Sequence, residues 1–150
     1  MVDFAKYSRV ALDSSPFIYF IAEDPRYISK VEKLFSAISG GNISGVSSYL
    51  SLLEVLVKPL KESARDIALQ YKDFMLSSSS LRLYPLDDQV AEKAAELRAK
   101  YYGNGFKIKT PDAIQIATGI LNGAEVFITN DRNLKNVTEI EVAVLDEMAS

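Results

Sequence analysis

The stretch RVALDSSP, residues 9–16, shows the pattern that decides the fold. Its apolar run at positions 10–12 is typical of a strand that is buried on both faces of a sheet. Asp13 follows that run directly, and Pro16 favours the first turn of a helix. We therefore predict a buried strand whose carboxyl end carries an acid and leads into a helical turn, which Asp13 or Ser14 would cap.

The same alternation of strand-like and helix-like segments continues along the chain. Short aliphatic runs predict strands at residues 9–12, 43–46, 81–84, 126–129 and 142–145. Apolar residues spaced three and four apart predict helices at residues 25–38, 48–57, 63–76, 88–102 and 110–121. This alternation favours an α/β fold with a mainly parallel sheet.

The composition of the strands predicts their places in the sheet. The first, fourth and fifth runs are almost wholly apolar, which is typical of strands covered by helices on both faces. Residues 81–84 alternate between apolar and polar side chains instead. We therefore expect this run to form an edge strand.

The size and composition are those of one soluble domain. A chain of 150 residues can form a core without disulfides. Apolar residues make up 48% and charged residues 25%, as in ordinary globular proteins. The amino terminus lacks a secretory pattern, and no apolar run is long enough for a membrane span. We expect a single domain over residues 1–150, located in the cytoplasm.

The chain contains neither cysteine nor histidine. Their absence excludes thiolate metal sites, cysteine nucleophiles and histidine general bases. The motifs of phosphate-binding loops and serine hydrolases are missing as well. The net charge of −3 gives the molecule no general attraction for nucleic acid. A nucleic-acid substrate would therefore need local basic groups or bridging cations.

Four acidic residues occupy unusual positions in this pattern. Asp13 and Asp131 each follow an apolar strand closely. Asp112 lies in the first turn of a predicted helix, and Glu54 is the only charge in a helical segment that is otherwise almost wholly apolar. Each residue has a structural alternative: the aspartates could cap or complement helix termini. Glu54 could pair with Lys58 one turn away.

Taken together, the four positions favour one shared site. Parallel strands present their carboxyl ends at one edge of the sheet, where open α/β sheets bind ligands, and the two helices would flank that edge. Clustered carboxylates repel one another unless protons or cations compensate their charge. Mg²⁺ prefers oxygen ligands and often keeps waters that contact substrate phosphates. The pattern therefore predicts a Mg²⁺ or Mn²⁺ site.

The ordered motifs also resemble those of a known family, the PIN-domain proteins, and above all the VapC-like toxin ribonucleases of toxin–antitoxin pairs. The motifs that carry the resemblance are LDSS at 12–15, SS at 47–48, LEVL at 53–56, TPDAIQIA at 110–117 and ITNDR at 128–132. The match spans nearly the whole chain. It implies a three-layer α/β/α sandwich around a central, mainly parallel sheet of about five strands.

The resemblance further implies an activity and roles for the acids. It implies a Mg²⁺- or Mn²⁺-dependent endoribonuclease whose catalytic residues are Asp13, Glu54, Asp112 and Asp131. Asp13, Asp112 and Asp131 would hold the metal. Glu54 would ligate through water or orient the nucleophile, and the hydroxyl group of Thr129 would support the site.

Partners are implied in the same way: an RNA substrate, a small cognate antitoxin and a second copy of the chain in a homodimer. Basic residues beside the motifs are candidate phosphate contacts, namely Arg9, Lys107, Lys109, Arg132 and Lys135. Aromatic residues near a glycine-rich turn are candidate base contacts, namely Tyr101, Tyr102 and Phe106. Solvated charges and local packing explain the same residues at least as well.

Other functional classes fit less well. A receiver-type phosphorylation domain needs an acidic pair after its first strand and a lysine after its fifth. A haloacid-dehalogenase-type phosphatase needs an aspartate at position 15, which is Ser15 here. Two alternatives stay open, a solitary RNA-processing PIN protein and a non-catalytic PIN-like module that binds RNA or protein.

Overall fold

The computed structural model describes residues 4–103 and 105–149 and has the predicted α/β architecture. Five strands form one sheet in the order β3-β2-β1-β4-β5, and all neighbours pair in parallel. The strands are β1 (Arg9–Leu12), β2 (Ser44–Ser48), β3 (Leu81–Tyr84), β4 (Val126–Thr129) and β5 (Glu141–Val144). Three of them match their predicted limits. The second and fifth are displaced by one or two residues.

Six α-helices connect and cover the strands. They are α1 (Ser14–Ile21), α2 (Ile28–Ser39), α3 (Tyr49–Lys61), α4 (Arg65–Ser77), α5 (Asp88–Tyr101) and α6 (Thr110–Leu121). Short 3₁₀ segments follow the fourth and fifth strands, at Arg132–Asn136 and Leu145–Glu147. The sequence predicted α2 to α6 as helices, but α1 only as a helical turn.

Two apolar cores lie on opposite faces of the sheet, because successive strand residues point to opposite sides. Val10 and Leu12 of β1 point into a core shared with α1, α2 and α4. Ala11 points the other way, into a core shared with α5 and α6. This arrangement is the three-layer α/β/α sandwich.

Helix α6 lies unusually close to the central strand. A Cβ atom built on Gly119 would come within 2.7 Å of the Cβ of Ala11. No side chain larger than hydrogen fits there without a shift of the backbone. Gly119 therefore sets the distance between α6 and β1, and with it the position of the first turn of α6.

The two sheet edges differ in how well they were predicted. Strand β3 is an edge strand, as its alternating pattern predicts. Strand β5 is the other edge, with Glu141 exposed and Val142 half-buried. The sequence did not indicate this edge position, but the apolar side chains of β5 pack on both faces as expected, Ala143 against the first core and Val142 against the second, and Val144 is buried.

No helix within residues 4–103 and 105–149 is both long enough and apolar enough to span a membrane.

Candidate active site

Asp13 begins the site at the carboxyl end of the central strand. Its side chain is only 7% exposed. One carboxylate oxygen accepts a hydrogen bond from the Ser15 amide at 3.0 Å, which makes Asp13 the N-cap of α1. The other accepts a short hydrogen bond from the Thr129 hydroxyl. Asp13 is therefore both the helix cap that the sequence allowed and a buried acid at the sheet edge.

Burial raises the pKa of Asp13 to about 7. Hydrogen bonds from Thr129 and Ser15 oppose that shift, whereas the charge of Asp112 adds to it. Desolvation is the largest cause, because a charge removed from water is disfavoured. A proton or a cation would relieve this cost.

Thr129 links Asp13 to Asp131. Its hydroxyl donates to Asp13 and accepts from the Asp131 backbone amide at 3.1 Å. Thr129 is fully buried at the end of β4, next to β1 in the sheet. One side chain thus holds together the carboxyl ends of two neighbouring strands.

Asp131 lies just beyond β4 and is exposed to solvent. It caps the following 3₁₀ segment by accepting a hydrogen bond from the Asn133 amide at 3.0 Å. Its neighbour Asn130 shapes the same turn: its side chain donates to the Tyr19 hydroxyl and accepts from the Asp146 amide, at 3.1 and 2.9 Å. Sequence reasoning gave this asparagine no role.

Asp112 lies in the first turn of α6 and is partly buried. Its pKa is raised, first by desolvation and then by the negative charges of Asp131 and Glu54, whereas Lys109 lowers it. The sequence also allowed Thr110 to cap this helix, and the structure does not show that cap. Its hydroxyl accepts a hydrogen bond from Arg98 at 2.8 Å, and α6 has no side-chain cap at its amino end.

Glu54 approaches the same edge from α3. Its Oε1 accepts a hydrogen bond from the Gln115 side chain at 2.8 Å. The alternative pairing with Lys58 is not among the ion pairs in the described part of the chain. The sequence showed Gln115 only as part of the motif TPDAIQIA and did not indicate its polar partner.

The structure brings the four acids to one edge of the sheet but not into a closed ligand shell. Asp112 interacts electrostatically with Asp13, Asp131 and Glu54. None of the salt bridges in residues 4–103 and 105–149 involves any of them. Within the same residues, no three carboxylates lie in a group ready to hold a metal ion. The negative charges of these acids therefore add to one another at Asp112, and Lys109 offsets only part of their effect on its pKa.

A cleft of about 280 Å³ opens onto two of these acids. Asp112 and Asp131 lie at one side of it, and Lys107 and Lys109 line it from the segment before α6. Phe106 also lines the cleft and packs edge-on against a neighbouring tyrosine. The cleft thus combines acidic and basic side chains in one groove.

The other candidate RNA contacts are placed differently. Arg132 and Lys135 both pair with Glu147, at 3.7 and 2.6 Å. Arg9 lies at the amino end of β1, opposite the acids, and donates to the Asn122 carbonyl. Arg9 therefore lies outside the site.

Two of the candidate aromatic contacts for RNA bases differ from each other in their exposure to solvent. Tyr101 is buried and donates to Glu139, a structural role. Tyr102 is 71% exposed, with Lys107 over its ring.

The fold and the site together define a class: an α/β/α protein with a five-stranded parallel sheet and a carboxylate cluster at the carboxyl edge of its central strands. The family model of the PIN domain matches residues 10–140. The chain belongs to the PIN domain family. No curated protein matches it significantly.

Solved structures with the same fold come from toxin–antitoxin complexes. VapBC2 from Rickettsia felis, bound to a DNA fragment from its promoter, has a TM-score of 0.74 at 18% identity, covering 91% of this chain and 98% of that one. DNA-bound VapBC from Salmonella typhimurium has a TM-score of 0.72 at 21% identity, with coverage of 91% and 98%.

A further structure with this fold is VapC20 of Mycobacterium tuberculosis, a toxin that cleaves the sarcin–ricin loop. It has a TM-score of 0.62 at 16% identity, covering 79% of this chain and 86% of that one. At these identities the similarity establishes a shared fold.

Proposed function

We propose that this protein is a divalent-metal-dependent endoribonuclease whose catalytic residues are Asp13, Glu54, Asp112 and Asp131, and that it acts as the toxin of a toxin–antitoxin pair. The observation that carries the proposal is the position of these acids at one sheet edge, where the charge of Asp112 adds to the rise in the pKa of Asp13, and the charges of Asp131 and Glu54 add to the rise in the pKa of Asp112. None of the ion pairs among the described residues involves these acids. Membership of the PIN domain family supports the nuclease activity.

The donor set suits a hard divalent cation such as Mg²⁺ or Mn²⁺, which prefers carboxylate oxygens. Asp13 accepts hydrogen bonds from Ser15 and Thr129, and an ionised carboxylate has about four lone-pair sites, which leaves room for a cation. Asp112 and Asp131 are accessible from the cleft. We assign metal binding to these three aspartates, whose side chains would have to move closer together than they lie here.

A cation held by the three aspartates would supply a water of lowered pKa and stabilise charge on the phosphodiester oxygens. Side chains and backbone amides of the protein orient the acids. Ser15 and Thr129 hold the Asp13 carboxylate in a fixed orientation. Glu54, whose Oε1 accepts the hydrogen bond from Gln115, would orient the attacking water or ligate the ion through water with its other oxygen.

RNA would enter along the cleft beside the acids. Lys107 and Lys109 lie where they can contact phosphates on one side of the scissile bond. These lysines supply the local positive charge that a protein of net charge −3 needs in order to hold a polyanion. The exposed ring of Tyr102 extends the same surface and offers a face for a base.

Two protein partners complete the proposal. The fold is shared with toxins solved in complexes with antitoxins, which supports a small cognate antitoxin for this chain. A second copy would cover large apolar residues left exposed on α3, namely Tyr49, Leu53, Val57 and Leu60. Monomers rarely leave such a continuous apolar stripe in water.

The activity is tested by incubating the purified protein with structured and unstructured RNAs in Mn²⁺ and, separately, in EDTA. We expect cleavage by the wild-type protein in Mn²⁺ only. Asp13→Asn and Asp112→Asn should both lose it, because each removes a charged metal ligand. Asp73→Asn, an exposed acid on α4, is the matched control and should cut like wild type.

Equal cleavage by the wild-type protein and both site variants would assign the activity to a contaminant and remove the case for this site. Cleavage by none of them, with RNA binding retained, would favour the non-catalytic binding module. A wild-type protein that cuts RNA equally well in EDTA would contradict metal dependence while leaving a nuclease activity.

A further inference from the structure

A network of side-chain hydrogen bonds connects Glu54, through Gln115 and two serines, to the backbone of β1. Gln115, on α6, is only 4% exposed. Its Nε2 donates to Glu54 Oε1 at 2.8 Å and to Ser51 Oγ at 3.1 Å. Both amide hydrogens are therefore used. Because an ionised carboxylate can only accept, the nitrogen of the amide must be the atom that faces Glu54.

The donors and acceptors among the two serines of this network can be assigned in the same way. Ser47 Oγ lies 2.7 Å from the carbonyl oxygen of Leu12 and 3.1 Å from Ser51 Oγ. A carbonyl only accepts, so the single hydroxyl hydrogen of Ser47 goes to Leu12. The Ser51 hydroxyl must then donate to Ser47 and accept from Gln115. Gln115 therefore donates in two directions: one hydrogen bond goes to Glu54, and the other is continued by Ser51 and Ser47 to the backbone of β1.

We propose that Gln115 is a positioning residue for Glu54, held in its orientation by Ser51 and Ser47. This inference rests on the proposed nuclease function and deepens it. This hydrogen-bond network reaches the backbone at Leu12, the residue directly before Asp13, and Gln115 lies on the helix that carries Asp112. It thereby sets Glu54 relative to the two acids that approach the site from other elements.

Energetics support a positioning role over simple core filling. A hydrogen bond to a charged acceptor is stronger than one between neutral groups, and a buried amide without partners is costly. An apolar residue of the same length would fill the space without either demand. Burial of the Gln115 amide is unfavourable because the amide loses water. The same amide fixes the direction of one Glu54 oxygen and leaves the other available for the reaction.

The test compares Gln115→Met and Gln115→Glu with the wild-type protein. Methionine keeps the length but donates no hydrogen bond, and glutamate keeps the shape but places an acceptor opposite Glu54. Thr118→Val is the matched control, since Thr118 is also buried on the same helix and its hydroxyl donates to the Ile114 carbonyl of that helix. Ser51→Ala is a milder variant that keeps the Gln115–Glu54 contact but removes its anchor.

We expect kcat to fall by about 10- to 100-fold in both Gln115 variants, the usual cost of losing an outer-sphere partner. KM for RNA should stay near the wild-type value, because Gln115 lies away from the lysines that contact phosphate. Ser51→Ala should give a smaller fall, and Thr118→Val should leave both constants unchanged. An unchanged kcat in Gln115→Met, or an equal fall in Thr118→Val, would overturn the positioning role.

A second readout does not depend on activity. A crystal structure of Gln115→Met should show the Glu54 carboxylate turned away from its wild-type position, and that of Thr118→Val should not. An unmoved Glu54 in Gln115→Met would overturn the inference by itself. If the wild-type protein cuts no RNA, the proposed function fails, and the crystallographic comparison still decides whether Gln115 orients Glu54.

Discussion

Asp13 is held where its charge is disfavoured, and that environment has a measurable consequence. Its carboxyl group is buried, the charge of Asp112 adds to the rise in its pKa, and none of the ion pairs among the described residues involves it. The free energy of unfolding is lower when a buried carboxyl group of this kind is ionised than when it is protonated. The cost is consistent with a site that binds a cation, because the cation would remove it.

This cost predicts a pH dependence in the metal-free protein. The pKa of Asp13 rises from 3.8 to about 7 on folding. Between those values the folded state holds a proton that the unfolded state has lost, so the free energy of unfolding falls as pH rises through this range. Asp13→Asn should lack this fall and be more stable than wild type by roughly 1 to 3 kcal/mol at pH 8.

The measurement is chemical denaturation in EDTA at a series of pH values between 4 and 8, with Asp73→Asn as the control. The difference between Asp13→Asn and wild type should grow with pH and then level off above the folded pKa of about 7. A difference that stays constant over the whole range would contradict an uncharged, buried Asp13.

For individual residues, the sequence indicated the acids of the site but not the side chains that hydrogen-bond to them. Asp13 and Asp131 could be placed because strand ends are visible as the last apolar residue of a run. Gln115 could not, because apolar periodicity marks it as buried without showing which polar group it meets on another helix. Its partner Glu54 lies 61 positions away in the chain, and only the packing of α3 against α6 brings the two together.

At the scale of elements, the contact between α6 and β1 positions the site. Gly119 lies directly against Ala11, and Asp112 is two turns earlier on the same helix. Gly119→Ala would push the helix off the strand. We expect it to lower the free energy of unfolding by about 1 to 3 kcal/mol, as overpacking does, and to reduce RNA cleavage because Asp112 moves with the helix.

The matched test is the pair Gly119→Ala and Ala11→Gly, measured singly and together by urea denaturation. Ala11→Gly removes the atom that the new methyl group would meet. The double variant should therefore be more stable than the sum of the two single effects, with a coupling of about 0.5 kcal/mol or more. Strict additivity would mean that the close approach does not set the helix position.

The limits of an element were predicted well where the segment has clear periodicity or is bounded by turn signals, and poorly where neither signal is present. Strand β3 and helix α6 were predicted with their observed limits, since each has clear periodicity or flanking signals. Helix α1 was missed as a full helix because SPFIYFI is apolar nearly throughout. Helix α3 continues through Pro59 to Lys61, although the sequence predicted its end at position 57. Packing against α4 overrides the helix-breaking tendency of proline there.

At the scale of the whole molecule, the exposed apolar stripe on α3 predicts self-association. Val57 and Leu60 are 56% and 52% exposed, and Leu69 of the adjacent helix α4 is 56% exposed. We expect a homodimer at micromolar concentration, and a monomer for the Val57→Lys, Leu60→Lys double variant, because charge would be buried in the interface. Light scattering after size-exclusion chromatography measures both.

The control is Leu121→Lys, an exposed apolar residue at the end of α6, which should leave the dimer intact. A wild-type protein that is monomeric throughout, or a double variant that stays dimeric, would contradict this face as the interface. The active-site proposal does not depend on that outcome, since all four acids come from one chain.

We propose that acids at the ends of β1 and β4 and on α6 form one cation site, and Mn²⁺ binding to the purified protein measures whether they do. Titration followed by electron paramagnetic resonance should show Mn²⁺ bound by the wild-type protein and by Asp73→Asn. Asp13→Asn, Asp112→Asn and Asp131→Asn should each bind at least about tenfold more weakly, the lower end of what even outer-sphere changes cost. Equal Mn²⁺ affinity in the wild-type protein and all three site variants would contradict a shared site.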